Sequence, residues 1–160
     1  MRDATLLFLV KKSSEEVKEI CLAMKKRGFG VGRWNGAGGK VNKEEEVEDA
    51  TKRETKEEIG VDVEELEKVA KLSFYFPHKE EWNQVVHVYF AERWSGDIKE
   101  SEEMKPAWFS AEELPFDKMW PDDVFWVPEV LKGNKVEGVF VFGEGDVILE
   151  KKVEVTESLS

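Results

Sequence analysis

From Gly39 to Val61 the chain reads GKVNKEEEVEDATKRETKEEIGV. Between Glu45 and Ile59 there is no Pro and no Gly, Glu and Lys dominate, and Gly60 supplies a stop, so the pattern predicts a helix of about four turns. On such a helix Glu54 and Glu58 lie four apart and Glu54 and Glu57 three apart, so three carboxylates share one face. Val47, Ala50 and Ile59 mark an apolar side that needs a packing partner. The carboxylate face is therefore expected to look away from the core, toward a cleft or water. Clustered carboxylates repel and raise one another's pKa unless a cation sits among them. Hard oxygen donors with no nearby Cys or His favour magnesium, manganese or calcium over zinc.

A solvated acidic helix laced with Lys52, Arg53 and Lys56 would have the same composition. The preceding segment Gly36-Ala37-Gly38-Gly39-Lys40 separates the two readings. Its glycines allow close backbone approach to a ligand, and Gly38 can offer a carbonyl oxygen to the same cation. Loop and helix together resemble the Nudix box, G-x5-E-x7-R-E-U-x-E-E-x-G-U, at Gly39, Glu45, Arg53, Glu54, Glu57, Glu58, Gly60 and Val61. The soft position is Thr55, where a larger aliphatic is usual. With that many fixed positions, a chance match is improbable.

A chain of 160 residues suits one domain, residues 1–160, with a sizeable core. Hydrophobic residues make up 41% and charged ones 37%, as in a globular protein and unlike a disordered one. The net charge of −11 (24 basic, 35 acidic residues) repels nucleic-acid polymers and anionic membranes. A small nucleotide carried in with its metal is the partner that this surface suits. One cysteine, Cys21, permits no intramolecular disulfide, which suits a cytoplasmic location. Leu6–Val10 is too short for a membrane span and reads as a strand. A monomer is expected.

Seven segments carry β-branched or aromatic residues with partial alternation: Ala4–Val10, Glu19–Met24, Val69–Phe76, Val85–Ala91, Ala107–Phe109, Val136–Phe142 and Val147–Val155. Only one further helix is needed, Asp123–Leu131, with Pro128 placed in an early turn. The sum is an α+β mixed sheet between helices, and the resemblance implies the Nudix α/β/α sandwich. Gly96-Asp97 reads as a loop tip, Gly143–Asp146 as a hairpin turn, and Thr156–Ser160 as a fraying end.

Two flanking segments address what is joined to the phosphates. Met24–Gly36 precedes the box and includes KKRGFG and GRWNG; Glu103–Phe109 and Pro115–Asp123 follow it and include MWPDD. They resemble the MutT-homologue branch of the Nudix superfamily that acts on oxidised purine nucleoside triphosphates. Neighbouring carboxyls Asp122 and Asp123 beside Trp120 and Trp126 would occupy an apolar pocket where both cannot comfortably ionise. A neutral acid beside a carboxylate matches a base edge that carries both a donor and an acceptor, and Asn35 supplies an amide with both functions. Trp120, with Phe29, Phe74 or Phe76, offers faces for a purine; equally, the tryptophans read as core residues and the Asp pair as a helix cap.

The resemblance implies hydrolysis to the monophosphate and pyrophosphate. Magnesium, or manganese, would be held by the Gly38 carbonyl, Glu54, Glu57, Glu58 and Glu103. Glu54 is the leading base, Arg53 orients a glutamate, and Lys25 and Lys40 meet phosphates. Thr5, Ala37 and Gly39 complete the expected pocket; Ala37 stands where the branch carries a bulky aromatic, and Gln84 and Trp82 fall in a strand expected to line it. Other substrates of a Nudix box remain open here: ADP-ribose, dinucleoside polyphosphates, capped nucleotides, or a non-catalytic nucleotide-binding module.

Overall fold

The structure, a computed structural model, describes residues 1–159. The run Ala4–Val10 shows no clean alternation because its strand, β1 (Arg2–Ser13), is buried on both faces. Leu7 and Leu9 enter one apolar cluster, while Ala4, Phe8 and Val10 enter another on the opposite side. A tight turn at Ser14, in the left-handed region (φ 59°), returns the chain as β2 (Glu16–Lys25), which pairs with β1 from Val10 to Ser13.

Then come β3 (Trp34–Asn35), α1 (Val47–Ile59), β4 (Asp62–Val63), β5 (Glu67–Tyr75), β6 (Gln84–Ala91), β7 (Trp94–Ser95), β8 (Met104–Ser110), α2 (Asp123–Leu131), β9 (Lys135–Gly143) and β10 (Val147–Thr156). The large sheet runs β10-β9-β5-β6-β1-β2-β3, with β8 also paired to β2; β4 and β7 form a separate ribbon. The β1–β6 and β5–β9 pairs are parallel and the remainder antiparallel, so the sheet is mixed. Trp126, Val127, Val130 and Leu131 press α2 onto one face, and Val47 and Ile59 press α1 onto the other. This is the expected α+β sandwich.

Several boundaries differ from the sequence reading. α1 begins at Val47, because the Glu45 carboxylate folds back to accept the Asn42 N–H (3.0 Å) and so closes a turn before the helix. Gly60 ends it in the left-handed conformation (φ 80°), its N–H donating to the Lys56 carbonyl. Pro128 stands sixth in α2, past the first turn. The short strands β3, β4 and β7 carry too few residues for a periodic signal. Thr156 pairs with Lys135 as the last residue of β10; Ser160 lies outside the described residues.

Candidate active site

Residues 37–41 run antiparallel to β1 on the side that β2 leaves open. Ala37 exchanges both backbone hydrogen bonds with Leu7 (2.9 and 2.6 Å), the Thr5 N–H donates to the Gly39 carbonyl (2.8 Å), and the Val41 N–H donates to Asp3 (3.0 Å). By the antiparallel alternation, the N–H and C=O of Gly38 face away from β1, toward α1. The Gly38 N–H indeed donates to Glu58 Oε1 at 2.7 Å. A Cβ on Gly38 would lie 1.9 Å from the Thr5 carbonyl oxygen, and one on Gly39 would lie 2.6 Å from the Glu54 carboxyl carbon. The glycines are thus required by close approach to β1 and to Glu54.

That segment covers part of the carboxylate face, which corrects the expectation that it looks outward. Glu58 is 7% exposed and Glu54 half-buried, whereas Glu57 faces solvent. Thr51 and Thr55 are fully buried between them, each hydroxyl donating to the carbonyl four residues back. Thr55 fits the position usually held by a larger aliphatic because its hydroxyl is satisfied there. Arg53 is the hub of the face: it donates to Glu45 through two nitrogens (2.8 and 3.0 Å), to Glu54 (2.9 Å) and to the Lys40 carbonyl (3.2 Å). The Glu45 pKa is held down at about 2, first by this Arg53 contact and then by the Asn42 N–H. Burial pushes Glu58 up to about 7, opposed by the Gly38 N–H and reinforced by Glu54.

Beside Glu58, Glu103 accepts from Arg27 (2.8 and 3.0 Å) and lies 3.3 Å from Lys25 Nζ, contacts that lower its pKa. Glu54 and Glu58 thus lean on separate partners, and among the described residues no three acidic, imidazole or thiol side chains converge on one point. The set nevertheless fits a hard divalent cation. A buried carboxylate whose charge is opposed by burial and by two acidic neighbours is the donor that such an ion would relieve.

On the other side of β1 opens a cavity of about 240 Å³. Thr5, Lys25, Phe29, Asn35, Gly38, Gly39, Lys40, Phe74, Phe76, Trp120, Asp122, Asp123 and Trp126 all line it. Ala37 does not. Its methyl lies with Leu7 in the cluster beneath α1, because pairing with β1 fixes which way it points. Phe76 stacks on Phe142 (5.6 Å, 15°) and Phe74 on Phe140 (5.6 Å, 17°), so the floor is aromatic. Trp126, 1% exposed, donates its indole N–H to Asp122 Oδ2 at 2.8 Å.

Burial raises Asp122, although the Trp126 N–H opposes it; burial and the Asp122 charge together raise Asp123 far more. Four buried side-chain atoms lack a hydrogen-bond partner among the described residues: Thr5 Oγ1, Arg33 Nη1, Asn35 Oδ1 and Asp123 Oδ2. All four belong to residues that line this cavity. Buried polar groups are normally paired, so such a concentration marks a place where a ligand completes the bonding.

Sequence reasoning gave Arg33 no role. Its guanidinium lies 4.0 Å over the Trp120 ring and pairs with Asp146 at 2.9 Å. Its neighbours in the GRWNG segment were the available signal, but the partner is 113 residues away. Phe142 and Met104 also line the cavity unforeseen. Trp82, expected to line it, instead lies behind Phe29 and Phe76 on a 3₁₀ turn, Glu80–Trp82.

A mixed sheet between two helices, with a glycine segment laid against an Arg-Glu-x-x-Glu-Glu helix face, defines the Nudix class. The chain matches the NUDIX domain over residues 2–130 and belongs to that family. It is 45% identical over 141 residues to the oxidized purine nucleoside triphosphate hydrolase of Mus musculus, covering 88% of this chain and 90% of that one. To the protein of the same name from Danio rerio it is 43% identical over 140 residues, 88% and 89% of the two chains. Its fold is similar to the crystal structure of a MutT protein from Bacillus halodurans, with a TM-score of 0.81 over 96% of this chain and 98% of that one at 23% identity. Among the described residues no helix is long and apolar enough to cross a membrane.

Proposed function

We propose that this chain, as a single domain over residues 1–160, hydrolyses oxidised purine nucleoside triphosphates to the monophosphate and pyrophosphate with Mg²⁺. The observation that carries this reading is the buried Asp122–Asp123 pair, with one oxygen unpartnered, in an aromatic cavity one strand away from the acidic helix face. The names of the mouse and zebrafish relatives support the substrate class.

Two raised carboxyls in contact favour sharing a proton at neutral pH, so the pair can both donate to and accept from a base edge. Asn35 can donate or accept beside them, and Trp120 with Phe29 can cover the ring faces. Oxidation of a purine changes its donor and acceptor pattern, and a pocket whose proton can be redistributed tolerates more than one such pattern. Lys25 and Lys40 border the cavity and are placed to meet the phosphates. A divalent cation bound by the Gly38 carbonyl, Glu54, Glu57, Glu58 and Glu103 would neutralise phosphate charge and acidify water. Glu54, oriented by Arg53, is the residue assigned to take the proton of the attacking water.

The surface charge of −11 argues against nucleic-acid polymers as substrates. Edge strand β10 exposes Glu150, Lys151, Lys152 and Glu154, which discourages edge-to-edge pairing and supports a monomer. A lone buried thiol, Cys21, pushed up to about 11 by burial, suits the cytoplasm. The test is a magnesium-dependent turnover series over 8-oxo-dGTP, 2-hydroxy-dATP, dGTP and ADP-ribose, with products identified by mass spectrometry. The oxidised purine triphosphates are expected to lead and to release pyrophosphate. Preference for ADP-ribose, or equal turnover of dGTP, would refute the assignment.

A further inference from the structure

We propose that Trp82 is a positioning residue that fixes Phe29 across the mouth of the cavity and so sets how tightly a flat bicyclic base is held; this rests on the oxidised-purine reading. Trp82 ends the 3₁₀ turn that joins β5 to β6. Its N–H donates to the Lys79 carbonyl (3.0 Å), and Asn83 Oδ1 accepts the Phe76 N–H (2.6 Å), which ties the turn to the end of β5. The indole itself is held on several sides: Phe76 meets it edge-on at 5.6 Å and 90°, His78 at 6.0 Å and 89°, and Lys79 Nζ lies 4.2 Å over the ring. A side chain held in that way is a fixed backstop.

What it backs is not fixed by its own segment. Phe29 stands between Gly28 and Gly30, both in the left-handed region (φ 81° and 82°), and is 60% exposed. Its ring contacts among the described residues are Trp120 at 5.1 Å and Trp82 at 5.4 Å. Trp120 lines the cavity and Trp82 does not, so Trp82 reaches a ligand only through Phe29 and Phe76. Without it, Phe29 loses one of its two aromatic neighbours, and the wall that a base would meet becomes mobile. The acidic face of α1 lies across β1 and is untouched by that loss.

The consequence is a split between binding and turnover. Trp82→Ala is expected to raise KM for an oxidised purine triphosphate about tenfold while kcat stays within about twofold, since stacking on the base is lost and the reacting groups are not moved. Trp82→Phe restores a ring at the same place and is expected to return KM to within about threefold of the wild type. Calorimetric titration of the oxidised purine monophosphate should show the same loss in affinity, whereas inhibition by inorganic pyrophosphate should not change. Thermal melts of both variants establish that each is folded.

An unchanged KM and monophosphate affinity in Trp82→Ala would overturn the inference, as would a fall in kcat without a rise in KM, or no rescue by Phe. A wild-type protein that binds no oxidised purine monophosphate would sink the substrate reading and this inference with it. That outcome is distinct from Trp82→Ala binding as tightly as the wild type, which removes the role of Trp82 alone.

Discussion

Replacing Gly39 by alanine should separate catalysis from folding, and the geometry gives the size of each effect. The new Cβ would lie 2.6 Å from the Glu54 carboxyl carbon and 2.7 and 2.8 Å from its oxygens. Ordinary carbon contacts are about 3.5–4.0 Å, so the carboxylate must retreat by about 1 Å. That retreat strains the 2.9 Å bond to Arg53, which orients Glu54. Misplacement of a reacting group by about 1 Å costs on the order of 10²-fold in rate. The backbone at Gly39 lies outside the left-handed region, so alanine fits there, and the Thr5–Gly39 hydrogen bond survives.

Stability should therefore fall by less than about 1 kcal/mol. Gly38→Ala is the control, because its Cβ would meet the backbone oxygen of Thr5 at 1.9 Å, and backbone cannot swing aside. The segment must peel from β1 and give up the Thr5–Gly39 bond, both Leu7–Ala37 bonds and the Gly38–Glu58 bond, which at about 1 kcal/mol each amounts to about 4 kcal/mol. Urea denaturation and magnesium-dependent pyrophosphate release, measured on both variants, test the contrast. Wild-type turnover in Gly39→Ala, or equal destabilisation by the two substitutions, would refute the reasoning.

Three other outcomes are expected. Glu54→Gln should lower kcat by several orders of magnitude with little change in the melting temperature, and near-normal turnover would remove it as the base. Burial holds the Glu58 carboxyl at about 7 in the folded chain against an ordinary 4.5, so in chelator its contribution to stability is complete below pH 4.5 and is lost as pH rises through 7. The full loss is roughly 3 kcal/mol, of which about 2 kcal/mol falls between pH 5.5 and 8.5, and it should vanish in Glu58→Gln when denaturation is compared at those two pH values. Asp122→Asn should alter the ranking of oxidised against normal purine triphosphates, read from kcat/KM ratios, more than the magnesium dependence.

The Nudix helix was legible because its chemistry is local: Arg53, Glu54, Glu57 and Glu58 meet at helical spacing whatever surrounds them. The Asp122–Asp123 and Trp120–Trp126 combination was legible for the same reason, since a short turn and one helix carry all four. What needed the structure was long-range pairing. Burial of Glu58 follows from a segment laid against β1, and the direction of the Ala37 methyl follows from pairing with Leu7. The Arg33–Asp146 contact and the placing of Trp82 behind Phe29 depend on turns that no periodicity describes.

The far hairpin has a bearing on how small this enzyme can be made. The NUDIX domain match ends at residue 130, yet Phe142 closes the floor of the base cavity and Asp146 anchors the arginine that lies over Trp120. A chain trimmed after Leu131 would retain the whole acidic apparatus but leave β5 as a raw edge and its cavity with one side missing. Minimal versions should therefore be shortened from the last residues of β10 and never from the helix that precedes β9.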